Sequence, residues 1–157
     1  MPELDGLAFK ILHYLQTDAR NQTPVDMADE LPVSAQTIRN RIEKMEDAGV
    51  IEGYVPIINY EKAGFPIRLQ FTCTAPIGQR EELAEAALEI PHMVRVEEML
   101  SGNENVRPMA VTKSSEEINN ITTALDDLGL SIERERLQRH EYVRPFNHFG
   151  AEMAPDE

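Results

Sequence analysis

The sequence predicts an α+β protein in two parts, three helices followed by a unit of order β-α-β-β-α-β. Two patterns carry that expectation. Residues 24–51 read as two short helices around a tight break at Leu31-Pro32-Val33. Residues 67–138 alternate between segments with apolar residues at every second position and segments with them at every third or fourth, the periods of strand and helix.

The first helix is expected in residues 4–18, where Leu4, Leu7, Ile11 and Leu15 keep near-helical spacing and Asp5 can cap. Thr23 caps the next helix, with Pro24 at its first position and Asp26 in its first turn. Ser34 caps the third, because its hydroxyl can accept from a backbone N–H that the helix leaves unpaired. Ile38, Ile42 and Met45 then make one apolar face, and Gln36, Arg39, Asn40 and Lys44 the opposite one. Gly49 can take the left-handed conformation that ends the helix. A helix with one buried face and an Arg/Asn/Gln-rich outer face, reached by a short turn from another helix, is the layout of a helix-turn-helix DNA reader. Residues 50–60, VIEGYVPIINY, are rich in β-branched and aromatic residues and read as a linking strand with a small wing. Pro56 argues against a central strand, and residues 62–66, KAGFP, mark the domain boundary.

Residues 67–75 begin the second part as a half-buried strand, with Ile67, Leu69, Phe71 and Cys73 on one face. Residues 79–90 form a helix aligned on Leu83, Ala87 and Ile90 and stopped by Pro91. Residues 93–102 are a strand, 102–105 a loop and 106–112 a further strand. Ser114 and Glu117 have capping-box spacing, and the helix they open carries Ile118, Ile121, Leu125 and Leu128 to Gly129. Residues 130–138 are the last strand, which completes the ferredoxin-like pattern. Pro108 falls inside a strand that this order makes central, so a bulge or a shifted strand is expected. Residues 139–150 are an aromatic-rich tail, and 151–157 are expected to be disordered.

The 157 residues fit one medium domain or two small ones. Nothing approaches 18 consecutive apolar residues, so no membrane span is expected, and the N-terminus has no secretory pattern. Cys73 is the one cysteine, which excludes an internal disulfide and fits a reducing cytoplasm. The net charge of −13, with 28 Asp and Glu against 4 Lys and 11 Arg, runs against the basic footprint of a DNA binder. At molar salt the Debye length is about 3 Å, so distant acids hardly repel DNA and local contacts decide. Locally, residues 34–48 carry three basic and three acidic side chains, with Arg39 and Arg41 in the first half.

Gln36, Arg39 and Asn40 suit base edges: Arg pairs with guanine and Asn or Gln with adenine, each worth about 1–3 kcal/mol of discrimination. Ser34, Thr37, Arg41 and Lys44 suit phosphate contacts, which position without specifying. The plain alternative is a solvated face braced by pairs of the Arg39–Glu43 and Arg41–Glu46 type.

Leu4-Asp5 with Ile11-Leu12, and the run Ser34-x-x-Thr37-Ile38-x-x-Arg41-Ile42-x-x-Met45-Glu46-x-x-Gly49-Val50-Ile51, make the chain resemble one family over nearly its whole length. That family is the Lrp/AsnC (leucine-responsive and asparagine regulator) group of bacterial and archaeal transcription factors. The resemblance implies a winged helix-turn-helix in residues 1–52, a linker strand in 53–66 and a ferredoxin-like effector-sensing and dimerisation domain in 67–150, with 151–157 as an acidic tail. It implies double-stranded DNA as partner, a homodimer or higher homo-oligomer, and an amino acid or related small metabolite as effector. The family binds such effectors near a Gly-x-x-Asp loop, which here reads Gly102-Asn103-Glu104-Asn105. Asn105 stands where Asp is more common, and its neutral amide donates as well as accepts, which suits a different ligand group or none. The acidic, Lys-poor composition and the tail from Glu141 to Gly150 resemble variants from salt-loving archaea.

No cofactor, metal or catalytic residue is expected. His13, His92, His140 and His148 lack metal-ligand spacing, and Cys73 reads as a buried apolar residue rather than a nucleophile. Met93, Met99 and Met109 read as core filler. Two alternatives remain open at this point. One is an enzyme resembling sirohaem decarboxylases on the same fold, although residues 93–96, MVRV, hold no histidine. The other is a metabolite-sensing oligomeric module that binds no DNA.

Overall fold

The computed structural model describes residues 4–146 and Phe149. The chain divides into two compact units, Met1–Pro56 together with Tyr142–Glu157, and Ile57–Glu141.

The first unit holds α1 (Gly6–Asp18), α2 (Pro24–Glu30) and α3 (Ala35–Asp47). Each expected cap is in place. Asp5 accepts from the Ala8 N–H at 2.9 Å, Ser34 from the Thr37 N–H at 3.2 Å, and Thr23 shares a reciprocal box with Asp26. Leu31 leaves α2 in extended conformation, which makes the break before α3. Ile11, Met27 and Ile38 are fully enclosed, with Ala8, Leu12, Leu31 and Met45 completing the core. Each buried Ile, Leu or Met side chain contributes about 1.5–3 kcal/mol over leaving it in water. Gly49 has φ +73°, and the following Val50 N–H donates to Met45 O at 2.9 Å, closing α3.

The expected linking strand and wing across residues 50–60, and the linker strand of 53–66, form no paired strand among the described residues; Tyr60–Gly64 is a turn. Pro56 has no N–H to offer a ladder, and none of the described strands pairs with the segment; Val55 and Ile57 are almost fully exposed. The tail also departs from its expected place in the 67–150 domain. Phe149 stacks on Phe9 of α1, and the Phe146 backbone is hydrogen-bonded to Gln16 of the same helix. Residues 151–157 lie outside the described residues.

The second unit runs β1 (Ile67–Thr74), a short 3-10 turn at Ile77–Gln79, α4 (Arg80–Leu88), β2 (Met93–Glu98), β3 (Val106–Thr112), α5 (Ser115–Asp127) and β4 (Ser131–Leu137). The strands form one antiparallel sheet in the order β2-β3-β1-β4. Leu69, Phe71 and Cys73 of β1 join Val106 and Ala110 of β3 beneath Leu83, Ala87, Ile121 and Leu125 of the two helices. Strand β2 ends at Glu98, short of the expected residue 102. Pro108 sits inside β3, a central strand. Its pairing with β1 runs from Ile67↔Thr112 to Gln70↔Met109 and resumes at Cys73↔Val106, so the ladder is interrupted opposite the missing N–H. The bulge towards the other neighbour lies in β2, between Met93 and Arg95.

Candidate nucleic-acid interface

The outer face of α3 is the place where the sequence put DNA contacts. The buried side of the helix is anchored by Ile38 and Met45 with Ile42 packed between them, so the positions on the opposite side of the helix face outward. Gln36, Arg39, Asn40 and Lys44 are exposed. Gln36 donates from Nε2 to Asn40 Oδ1 at 2.9 Å, which ties the two amides together and uses the Asn40 oxygen as acceptor. Ser34 and Thr37 face each other through their hydroxyls at 3.0 Å at the start of the helix. No acidic residue occupies the first turn of α3, so the positive end of its dipole is uncompensated there.

Arg41 differs from the others. Its Nη1 donates to Asp5 Oδ2 at 2.7 Å, so the guanidinium ties the middle of α3 to the cap of α1. The Ala8 backbone N–H, with Arg41 adding to it, holds the Asp5 carboxyl below its ordinary value. Sequence spacing could not reveal this pair, whose members are 36 positions apart. Thr37, Asn40, Arg41 and Lys44 share a shallow hollow of about 470 Å³ with Glu43 and Asp47. Gln36 and Arg39 do not line it. Mixed charge in that hollow keeps the helix locally neutral, as the count over residues 34–48 implied.

The loop Gly102–Asn105 joins β2 to β3. Gly102 has φ +85° and Glu104 φ +58°, the positive values that let four residues reverse the chain. Asn105 is 1% exposed. Its Oδ1 accepts from the Ala75 N–H at 2.8 Å and its Nδ2 donates to Ala75 O at 3.0 Å. The Glu104 N–H donates to the Thr74 hydroxyl at 3.0 Å, and its carboxylate pairs with Arg134 of β4. Asn105 therefore anchors the loop, and of the four residues Gly102 and Asn103 are the exposed ones.

Other expected features also have a place. Cys73 is fully buried, and desolvation with the nearby Glu133 charge pushes its thiol up to about 12. Met109 is buried on the other sheet face, where its sulfur meets the guanidinium groups of Arg68 and Arg95. No helix among the described residues is long and apolar enough to cross a membrane.

Comparison with known proteins places this geometry. The model of a winged helix-turn-helix DNA-binding family matches residues 4–52. The HTH-type transcriptional regulator FL11 of Pyrococcus furiosus is 31% identical over 131 residues, covering 83% of this chain and 82% of that protein. The leucine-responsive regulatory protein of Rhizobium meliloti is 40% identical over 65 residues, 41% of each chain. The fold matches E. coli AsnC with a TM-score of 0.71 at 15% identity, over 92% of this chain and 98% of that one. It also matches the Neisseria meningitidis regulator NMB0573, solved in complex with L-Met, with a TM-score of 0.67 at 18% identity, over 87% of this chain and 88% of that one. The capped reading helix, the four-stranded sheet behind a hairpin loop, and a relative matched over four-fifths of both chains agree: the chain belongs to the Lrp/AsnC family of DNA-binding transcriptional regulators.

Proposed function

We propose that this regulator reads a two-fold symmetric operator as a homodimer or higher homo-oligomer, with α3 entering the major groove. The observation that carries the reading is the one exposed polar face of α3, bearing Gln36, Arg39 and Asn40 opposite the buried Ile38 and Met45. Arg39 and Asn40 contact base edges, with Gln36 orienting Asn40. Ser34, Thr37 and Lys44 meet phosphates, and Arg41 does so while braced on Asp5. Two-fold symmetry spaces the half-sites by about one helical turn or a multiple of it. The sheet unit dimerises and senses an amino acid or related small metabolite at the Gly102–Asn105 loop; the NMB0573 complex with L-Met supports that class of ligand. Asn105 and Glu104 shape that loop, while Gly102 and Asn103 face the ligand. The protein acts in the cytoplasm as a regulator and not as an enzyme, in keeping with relatives that are themselves transcriptional regulators.

Footprinting on genomic fragments in molar potassium salt tests the reading. A protected palindrome that Arg39→Ala weakens supports it. Absence of any protected sequence, with Arg39→Ala changing nothing, removes it.

A further inference from the structure

The chain after β4 leaves the sheet unit and returns to the helices. Because Tyr142–Phe146 and Phe149 belong with α1–α3, the sheet unit Ile57–Glu141 is an insertion between two pieces of the helical unit. The backbone therefore passes between the units twice, after residue 56 and after residue 141.

The returning segment has a specific seat. Gln16 exchanges two hydrogen bonds with the backbone of Phe146: the Phe146 N–H donates to Oε1 at 3.1 Å, and Nε2 donates to Phe146 O at 3.2 Å. The Phe149 ring stacks on Phe9, with centroids 5.6 Å and planes 18° apart, and meets Phe146 edge-on at 4.9 Å. Pro145 fixes φ just before the seat, which lowers the entropy lost on docking. Phe149 also walls one side of an open hollow of about 430 Å³, together with Leu12, Leu15 and the stretch Gly49–Tyr54. One ring thus stacks on α1 and borders the same hollow as the stretch by which the chain leaves α3. Gln36, Arg39 and Asn40 do not line this hollow, so the segment leaves the reading face open.

We propose that Tyr142–Phe146 and Phe149 form a strap that limits the freedom of each reading head and so sets the half-site spacing the protein accepts. The proposal rests on the dimeric DNA reading above. Val50 and Ile51 pack on the helical core, residues 52–59 form no helix or paired strand, and Val55 and Ile57 are almost fully exposed, so a chain crossing twice carries one more constraint on the head than a chain crossing there alone. That second attachment narrows the orientations open to the head before DNA arrives. The second head of a dimer then engages at a higher effective concentration, provided the spacing suits the restrained geometry. The strap is held by an exposed glutamine and by aromatic contacts, with Phe146 half-exposed.

The test uses full-length protein with Gln16→Ala and, separately, Phe149→Ala. Gln16 is exposed, so its replacement spares the helical core. Kd is measured on duplexes carrying one half-site, two half-sites at the native spacing, and two with a few added base pairs, and ¹⁵N relaxation follows the α1–α3 amides without DNA. The strap predicts one-half-site binding within about twofold of the parent, roughly five- to tenfold weaker binding at native spacing, and a flatter dependence on spacing. It also predicts faster tumbling of the α1–α3 amides. Equal losses on one and two half-sites would reduce the strap to a folding element, and unchanged binding and tumbling would leave it no role. If the parent protein binds no DNA, the operator reading fails, and relaxation alone decides the strap: faster tumbling in the variants upholds it, unchanged tumbling overturns it.

Discussion

Asn105 and Ala75 exchange a pair of hydrogen bonds, Ala75 N–H to Oδ1 at 2.8 Å and Nδ2 to Ala75 O at 3.0 Å, with both residues buried. Only a side chain that donates and accepts at once can satisfy both backbone groups. An ionised aspartate could accept from the N–H but would face the Ala75 carbonyl with its second oxygen. Asn105→Asp should therefore destabilise the sheet unit by about 1–3 kcal/mol at neutral pH, the range for leaving a buried polar group unsatisfied, and more if the charge stays dry. The loss should shrink as pH falls, because burial raises the carboxyl's pKa and the neutral acid can donate to Ala75 O. Urea unfolding at pH 7 and pH 5 checks both points, and an equal loss at the two pH values would rule the explanation out.

The two arginines of α3 should fail in different ways. Arg39 has no ion pair among the described residues, so Arg39→Ala should leave the unfolding free energy within about 0.5 kcal/mol of the parent. Its expected effect is on specificity, about 1–3 kcal/mol at one operator position. Arg41 braces Asp5 at 2.7 Å, so Arg41→Ala should lower both stability and affinity, the latter uniformly across sequences. Binding selections on randomised half-sites, read beside thermal melts, separate the two. Preference relaxed by Arg41→Ala but not by Arg39→Ala would reverse the assignment.

Local neutrality of α3 makes a further demand. With Glu43, Glu46 and Asp47 along the same helix, the proposed reading releases few counterions per head. The slope of log K against log salt should be shallow for a protein of this class. Titration of DNA binding between about 0.2 and 2 M potassium chloride measures it; a steep loss of affinity would mean that phosphate contacts dominate.

Much of this was legible in the sequence, and what escaped it has a common cause. The caps at Asp5, Thr23, Ser34 and Ser114 lie within three residues of what they cap, so local spacing reveals them. The period of Leu69, Phe71 and Cys73 reveals the buried face of β1 in the same way. Asp5–Arg41, Asn105–Ala75 and Gln16–Phe146 join residues 36, 30 and 130 positions apart, which no period encodes. Residues 50–60 have strand-like composition without a strand beside them, and composition cannot supply the neighbour. Ser114 and Glu117 show a finer limit: Ser114 caps as expected, but the Glu117 carboxylate accepts from the Lys113 N–H at 2.6 Å, one residue earlier than a closed box requires.

The helical unit should weaken in acid for a reason its caps make specific. The Ala8 N–H and then Arg41 lower Asp5, and the Thr23 hydroxyl and then its backbone N–H lower Asp26. A carboxyl held below its ordinary 3.8 in the folded state contributes stability that is fully present above that value and is lost as pH falls through the folded value. Helix ellipticity melts at pH 7 and pH 3 should therefore differ, and Asp5→Asn and Asp26→Asn should each narrow the difference. Both sites are solvent-accessible, so the effect should also weaken in high salt for the Asp5–Arg41 pair and persist for the Asp26–Thr23 box, which is neutral on the threonine side. A pH difference untouched by either substitution would place the acid sensitivity elsewhere.

Cys73 offers a probe of the sheet unit that is independent of DNA. It is fully enclosed near the C-terminal end of β1, in the core that the strand shares with α4 and α5, and its thiol is pushed up to about 12 by desolvation. The thiolate is the reactive form, so at pH 8 the folded protein presents almost none of it and no path for a reagent. Labelling by a disulfide reagent should wait for opening of the sheet unit, and its rate should rise with urea as unfolding does. Cys73→Ser should cost about 1–3 kcal/mol, because the hydroxyl enters a site lined by apolar residues, whereas Cys73→Ala costs less. Rapid labelling in native buffer, at the rate of an exposed thiol, would contradict the closed core around β1.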